Sequence, residues 1–197
     1  TTPWTLPGNR ALAVKPDAYY VEVYLPAFNA VLILARSRML QVLEKEDKED
    51  AFQIIKEVQG SDLVGETYEP IYPVPSLEFK TLAERNFKVY AGDFVTMEDG
   101  TGVVHIAPSF GDADHELGIK ENLDVPSIID SAGRYNEKIQ EWQGKNVWEA
   151  NASVIEWLKT NKKLVKQESV FHSYPFCHRC STKLLFYTHP AWFVDVQ

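Results

Sequence analysis

Tyr19-Tyr20-Val21-Glu22-Val23-Tyr24-Leu25 is the stretch on which the fold class turns. Tyr19, Val21, Val23 and Leu25 alternate with Tyr20, Glu22 and Tyr24, the period of two that a half-buried strand requires. Pro26-Ala27-Phe28-Asn29 then turns the chain into residues 30–35, apolar enough to read as a buried strand. Ser37 is placed to cap a short helix carrying Met39, Leu40, Val42 and Leu43, since a hydroxyl can accept from the free N–H groups of a first turn. Residues 44–50 mix both charge signs and read as a solvated helix face or loop. Phe52, Ile54, Ile55 and Val58 fit the spacing of a second short helix, with Gly60 as its stop.

Further along, Pro70, Pro73 and Pro75 break regular structure and predict a surface connection. Residues 87–96 and 101–106 are two strand-like runs, and the Asp99-Gly100 step between them predicts a hairpin. A helix is expected near residue 151, with Asn151 as cap and Val154, Ile155 and Leu158 on one face. The tail, residues 169–197, returns to strand-rich chemistry around Cys177-His178-Arg179-Cys180. No internal repeat or low-complexity tract appears, and no βαβ rhythm. The expectation is an α+β, β-rich fold in a single domain, residues 1–197. The chain begins inside a motif and ends inside the strand-like Trp192-Phe193-Val194, as a piece excised from a larger protein would.

Composition narrows the function classes. With 45% hydrophobic and 24% charged residues, the chain has enough apolar material for a core, and wholesale disorder is excluded. No apolar run approaches the roughly 18–20 residues of a membrane span, so no membrane partner is expected. The first residues carry neither a basic nor an apolar leader region. Cys177 and Cys180 are the only cysteines, which excludes a disulfide scaffold and favours a reducing, cytoplasmic setting. Twenty basic against 28 acidic side chains leave a net charge of −8. A general phosphate-wrapping binder needs a basic excess, so any nucleic acid must be met locally or presented by another part of a larger protein.

Three stretches carry chemistry. Thr1-Thr2-Pro3-Trp4-Thr5-Leu6-Pro7-Gly8-Asn9 can present hydroxyls from a loop stiffened by prolines, although threonines there also serve as ordinary turn caps. Gly100-Thr101-Gly102-Val103-Val104-His105-Ile106-Ala107-Pro108-Ser109-Phe110-Gly111-Asp112-Ala113-Asp114 puts a titratable histidine, two carboxylates and three glycines within fifteen residues. Glycines allow a ligand to approach the backbone closely, yet Asp112 or Asp114 at a helix start also satisfies the macrodipole alone. Cys177-His178-Arg179-Cys180 supplies two thiolates where structural zinc takes four ligands, and His172, His178 and His189 fall at no familiar ligand spacing. A redox dithiol would want a thioredoxin-like βαβ unit, which is missing. No phosphate-binding glycine loop and no Gly-x-Ser-x-Gly elbow occurs.

Together these stretches resemble the editing domain of isoleucyl-tRNA synthetase, the connective-peptide insert of its Rossmann domain. The threonine segment, residues 100–114, and His172-Ser173-Tyr174-Pro175-Phe176-Cys177-His178-Arg179-Cys180 match in the family's order. Gly65-Glu66-Thr67-Tyr68-Glu69-Pro70 and Trp148-Glu149-Ala150-Asn151 are similar to family segments as well, so the likeness covers essentially the whole chain. The valyl and leucyl relatives place Arg after the threonines, where Pro3-Trp4 stand here, and have no histidine at the position of His105.

The resemblance implies a β-barrel-like core with peripheral helices. The implied activity is hydrolysis of valyl-tRNA(Ile), with some editing of valyl-adenylate, within the parent synthetase. It implies Asp114 on the substrate's α-ammonium and His105 along the amino-acid pocket as a wall against the extra methyl of isoleucine. Thr1, Thr2 and Asn9 are implied around the terminal adenosine and the scissile ester, with Trp4 packing beneath the loop. The chain departs from the family where the first threonine of the usual trio is missing, and where Ala113 replaces a carboxylate beside Asp114. A positioned water, helped by the neighbouring ribose hydroxyl, is the implied nucleophile, and editing needs no cofactor. Cys177 and Cys180 are similar to half of a zinc site that some synthetases complete from outside the insert. The rival readings are a catalytically degenerate insert that binds the tRNA acceptor end, and a zinc-dependent hydrolase using the two cysteines.

Overall fold

The computed structural model describes residues 1–43, 52–73, 84–169, 173–189, 191, 192, 194 and 196. Residues 44–50, Pro75 and His172 lie outside them. β1 spans Ala11–Val14 and β2 spans Tyr19–Leu25, the strand its alternation predicts. β2 is the centre of an antiparallel sheet, flanked by β3 (Ala30–Ala35) and β4 (Gln53–Gln59). Asn29, with φ of 47°, makes the left-handed step that returns the chain into β3; asparagine tolerates this because its short polar side chain bonds locally. Val21, Val23, Leu25 and Leu34 bury one face of the sheet under Met39, Val42 and Leu43. Full burial of each such aliphatic side chain stabilises by about 1.5–3 kcal/mol.

Residues 53–59 are a strand where the apolar spacing predicts a helix. The positions 52, 54, 55 and 58 satisfy a helical stripe, but Ile54 and Ile55 are half exposed while Val58 is buried opposite Tyr20. A register irregularity between Glu22 and Val23 disturbs the strict alternation. Such a bulge erases the sequence signature of a strand, and β-branched residues with an open sheet edge to join take the extended form. Gly60 therefore stops no helix. It opens the single turn α2 (Gly60–Leu63), where a Cβ would lie 2.0 Å from the Lys15 carbonyl oxygen.

β1 is the centre of the second sheet, parallel to β5 (Lys88–Ala91) and antiparallel to β6 (Val103–Ile106). The expected hairpin between residues 87–96 and 101–106 is thus not a pair: β1 lies between the two strands. The turn chemistry is present, with positive φ at Gly100 and Gly102, but it serves the seam between sheets. A Cβ on Gly102 would meet the Ala35 Cβ at 2.4 Å. Tyr20 Oη donates to the Gly102 carbonyl at 2.7 Å and accepts from the Lys15 N–H at 2.9 Å. Val14, Tyr20, Ala35 and Val58 fill the same seam. The fold is α+β with a β-rich core, and among the described residues the strands form two three-stranded sheets rather than one closed barrel.

The helices also correct local expectations. α1 (Met39–Val42) follows a 3₁₀ turn at Arg36–Arg38 and has no side-chain cap; the Ser37 hydroxyl instead reaches the Met97 carbonyl at 3.5 Å. α3 spans Asp112–Lys120 and α4 spans Val147–Thr160. The cap of α4 is Asn146, whose Oδ1 accepts from the Trp148 N–H at 3.1 Å. Asn151, expected as that cap, lies inside the helix and accepts from the Trp4 N–H at 3.0 Å. Val154 and Leu158 are buried as their spacing predicts, in a cluster with Trp4, Tyr135 and Trp142. The tail, expected to be strand-rich, has one bridge between Phe176 and Lys183 among its described residues. Its apolar side chains find no sheet to join, and Phe176, Leu184, Phe186 and Trp192 are exposed.

Candidate functional site

A 3₁₀ turn at Pro3–Gly8 carries the threonine segment. Proline in its first turn suits a helix start, where the missing N–H has no partner to lose. Trp4 is its anchor, 4% exposed and edge-on to Phe110 at 4.8 Å. Its N–H is held by Asn151 and its carbonyl by Tyr135 Oη at 2.6 Å. Gly8 lets the turn press on the same ring: a Cβ there would sit 2.7 Å from Phe110 Cε2. Trp4 thus packs beneath the segment. Thr1 and Thr2 are exposed, and the Thr2 carbonyl accepts both the Thr5 N–H at 3.1 Å and the Thr5 hydroxyl at 2.9 Å.

Asn9 caps the turn, its N–H donating to the Leu6 carbonyl at 3.1 Å. Its side chain is 4% exposed and fully engaged. Nδ2 donates to the Ala11 carbonyl at 2.9 Å and the Ile106 carbonyl at 3.4 Å, while Oδ1 accepts from Tyr68 Oη at 2.6 Å. Asn9 therefore ties the first residue of β1 to the last residue of β6.

His105 is on β6, opposite Leu12 of β1. Its Nε2 is buried and, among the described residues, has no hydrogen-bond partner. Burial pushes its pKa down to about 4, and a hydrogen bond to the Leu6 backbone opposes this. The imidazole is neutral at pH 7. Two residues on, the Ala107 N–H donates to Asp114 Oδ2 at 2.8 Å. Asp114 lies in the first turn of α3, where the macrodipole favours a carboxylate. Burial raises its pKa above the ordinary carboxylate value, and the Ala107 N–H pulls it back. Gly111 leaves room for this, since a Cβ there would stand 3.2–3.4 Å from the Asp114 carboxyl atoms. Asp112, two residues before it, is exposed.

The turn, the end of β6 and the start of α3 thus converge, bringing together the Thr1 end, Asn9, His105 and Asp114. Cys177 and Cys180 do not join them. They form a separate knuckle in which the Cys177 N–H donates to the Thr182 carbonyl and the Ser181 N–H to the Cys177 carbonyl, both at 2.8 Å. Hydrogen bonds from Thr182, backed by one with Cys177, lower the Cys180 thiol pKa. Among the described residues no group of three or more His, Cys, Asp or Glu side chains is arranged for a metal, and the two thiols fall short of the four ligands that structural zinc takes. Clefts of about 250 Å³, against Pro7, Arg10 and Lys138, and about 480 Å³, against Ile129, Tyr187 and His189, are lined by neither His105 nor Asp114.

Two participants lie in stretches the sequence marks out, but nothing in the sequence assigns them a role. Ala107 acts through its backbone, and Tyr68 comes from a segment 59 positions from Asn9. Chemically, the cluster offers a carboxylate, a neutral imidazole and exposed hydroxyls. Among the described residues no hydroxyl or thiol is hydrogen-bonded to His105 Nε2, the pairing that an activated serine- or cysteine-type nucleophile would need.

No family model matches the chain. Over its whole length it is 40% identical to the isoleucine–tRNA ligase of Thermoplasma volcanium and 41% identical to the cytoplasmic isoleucine–tRNA ligase of Schizosaccharomyces pombe. It spans 18% and 19% of the length of those relatives. In fold it is similar to the crystal structure of GlLeuRS-CP1, with a TM-score of 0.61 and 18% identity, covering 86% of this chain and 82% of that one. The cytosolic leucyl-tRNA synthetase editing domain of P. knowlesi gives a TM-score of 0.53 and 13% identity, covering 82% and 80%. Identity at this level along the whole chain and the shared architecture lead to one conclusion: the chain matches a segment, about a fifth of the length, of isoleucine–tRNA ligases and has the fold of a synthetase editing domain.

Proposed function

We propose that the chain hydrolyses the ester of valyl-tRNA(Ile), and valyl-adenylate to a lesser extent, as the editing domain of a cytoplasmic isoleucine–tRNA ligase. Such a domain has a physical reason to exist. Isoleucine and valine differ by one methylene, worth about 1–3 kcal/mol to an apolar pocket, and isoleucyl-tRNA synthetase is the standard illustration of that limit. A second pocket that excludes isoleucine removes the smaller, wrong product.

The observation that carries this reading is the Asp114 carboxylate, held at 2.8 Å by the N–H of Ala107, two residues beyond the neutral His105, whose buried Nε2 has no hydrogen-bond partner among the described residues. In the proposed complex Asp114 takes the α-ammonium of the aminoacyl group through a charge-assisted bond. His105 forms the wall of the side-chain pocket. Thr1, Thr2 and the turn's backbone face the terminal ribose, where they orient water and meet the charge developing on the ester oxygen. The attacking oxygen comes from water assisted by the ribose hydroxyl beside the ester, which suits a site without an activated side-chain nucleophile. Asn9 serves by holding the turn, since its amide is already committed to Ala11, Ile106 and Tyr68. The partners are the acceptor 3′ end of tRNA(Ile) carrying valine and the remainder of the synthetase. Editing uses no cofactor, and the knuckle at Cys177 and Cys180 holds zinc only with ligands from the rest of the enzyme.

The test is deacylation of valyl-tRNA by the full-length ligase. Asp114→Ala is expected to abolish it with the fold intact. Asp114→Asn, which still accepts from Ala107 but lacks the charge, is expected to lose most of it. Near-wild-type hydrolysis by a folded Asp114→Ala enzyme would refute the assignment and favour a tRNA-end-binding insert without chemistry.

A further inference from the structure

Asn9 is the member of the cluster whose geometry fits substrate contact least, since both ends of its amide are used internally. What uses its oxygen is Tyr68, from a segment outside the turn, the β6 end and the α3 start. Tyr68 is itself firmly placed. Its N–H donates to the Phe87 carbonyl at 2.9 Å, and its ring stands edge-on to Phe87 at 6.1 Å. Phe87 is 1% exposed, holds the left-handed φ of 59°, and donates its own N–H to the Arg10 carbonyl at 2.6 Å. The Arg10 N–H in turn donates to the Ile106 carbonyl at 2.9 Å, the same oxygen that Asn9 Nδ2 approaches. A closed circuit of hydrogen bonds therefore runs Tyr68, Asn9, Ile106, Arg10, Phe87 and back to Tyr68. It grips the turn that carries Thr1 and Thr2 at one point and the residue after His105 at another.

Resting on the hydrolase reading above, we infer that Tyr68 is a positioning residue for editing: its hydroxyl orients the Asn9 amide, which sets the threonine turn against the end of β6. Orientation is the operative word. An Asn side chain without a donor at Oδ1 leaves that oxygen buried and unsatisfied, and the amide can then tilt away from the Ala11 and Ile106 carbonyls, the second of which it reaches only at 3.4 Å. Only the form with nitrogen toward those carbonyls holds the strand ends together. A phenol that donates at 2.6 Å selects that form. Burial raises the Tyr68 pKa, so the hydroxyl stays a donor across the working pH range. Freeing the turn moves the hydroxyls that meet the reacting ester, so the loss should fall on turnover rather than on capture of a tRNA held by many other contacts.

The experiment compares valyl-tRNA deacylation by the full-length ligase carrying Tyr68→Phe, Asn9→Ala or both. Isoleucylation by the same preparations reports that the enzyme is folded. Tyr68→Phe is expected to lower kcat by tens of fold, within the roughly 100-fold that a displacement of about 1 Å can cost, with KM unchanged. In the Asn9→Ala background the same substitution should change kcat by less than about two-fold, because residues acting as one unit are non-additive. An unchanged kcat in Tyr68→Phe, a loss confined to KM, or losses that simply multiply in the double variant would each overturn the inference. A wild-type ligase that fails to release valine refutes the hydrolase reading itself, a separate outcome.

Discussion

Acidification should unfold this chain partly through His105. In the unfolded chain the imidazole takes up a proton near pH 6.5, whereas in the fold burial holds it neutral down to about pH 4. The folded pKa is the lower one, so the stability linked to this group is fully present above pH 6.5. It is lost as the pH falls from 6.5 toward 4, where the unfolded chain binds a proton that the fold refuses. At about 1.4 kcal/mol per pH unit, the difference reaches about 3 kcal/mol near pH 4. That is a large part of the roughly 5–15 kcal/mol that holds a domain together. Carboxylates titrate in the same range, so the measurement is a comparison. Urea unfolding at pH 7 and pH 4 is followed for the wild-type chain and for His105→Leu, which keeps an apolar group of similar bulk on β6. The wild type should lose about 3 kcal/mol more than the variant over that interval. Equal losses would mean that the ring meets water in the fold and that its burial is not the controlling factor.

His105→Ala in the full-length ligase should relax discrimination more than it slows chemistry. A lost wall is worth about 1–3 kcal/mol of selectivity, whereas a lost general base costs roughly 100- to 10,000-fold in rate. Collapse of valyl-tRNA hydrolysis with isoleucyl-tRNA still protected would make His105 a catalyst. The chain by itself should bind little zinc, because the thiolates of Cys177 and Cys180 cannot close a tetrahedral site; stoichiometric zinc by elemental analysis of protein purified without added metal would contradict this. Asn146→Ala should cost about 1 kcal/mol by leaving the Trp148 N–H at the start of α4 without its acceptor, seen as a lower urea midpoint with an unchanged slope.

Local patterning was legible where one physical cause dominated. β2 announces itself because one face of a single strand is buried, and α4 because Val154 and Leu158 lie on one buried stripe. Its cap is Asn146, five positions before the expected Asn151: either asparagine can cap, and only the hydrogen bond from the Trp4 N–H engages Asn151 elsewhere. The spacing along β4 points to a helix because Ile54 and Ile55 are adjacent and about equally exposed, so the irregular register beside Glu22 leaves no period of two to detect. The Asp99-Gly100 step makes the expected turn but no hairpin, since β1 lies between the two strands it connects. Turn chemistry is local, whereas the partner of a strand is settled by whichever strand arrives between.

The candidate site divides in the same way. From residue types and their order alone come the threonine segment, His105, Asp114, the Cys177 and Cys180 pair, and the family to which they point. Those depend on which side chains are present and how far apart they stand along the chain. What only the tertiary structure decided is how they are used. It joined β6 to the 3₁₀ turn, pinned Asp114 to the Ala107 N–H, left His105 Nε2 buried with no partner among the described residues, and assigned Asn9 to clamp two strand ends. The physical reason is that burial and hydrogen-bond partnership are properties of contacts between distant segments. Tyr68 meets Asn9 across 59 positions, and nothing in the local sequence of either residue encodes the other.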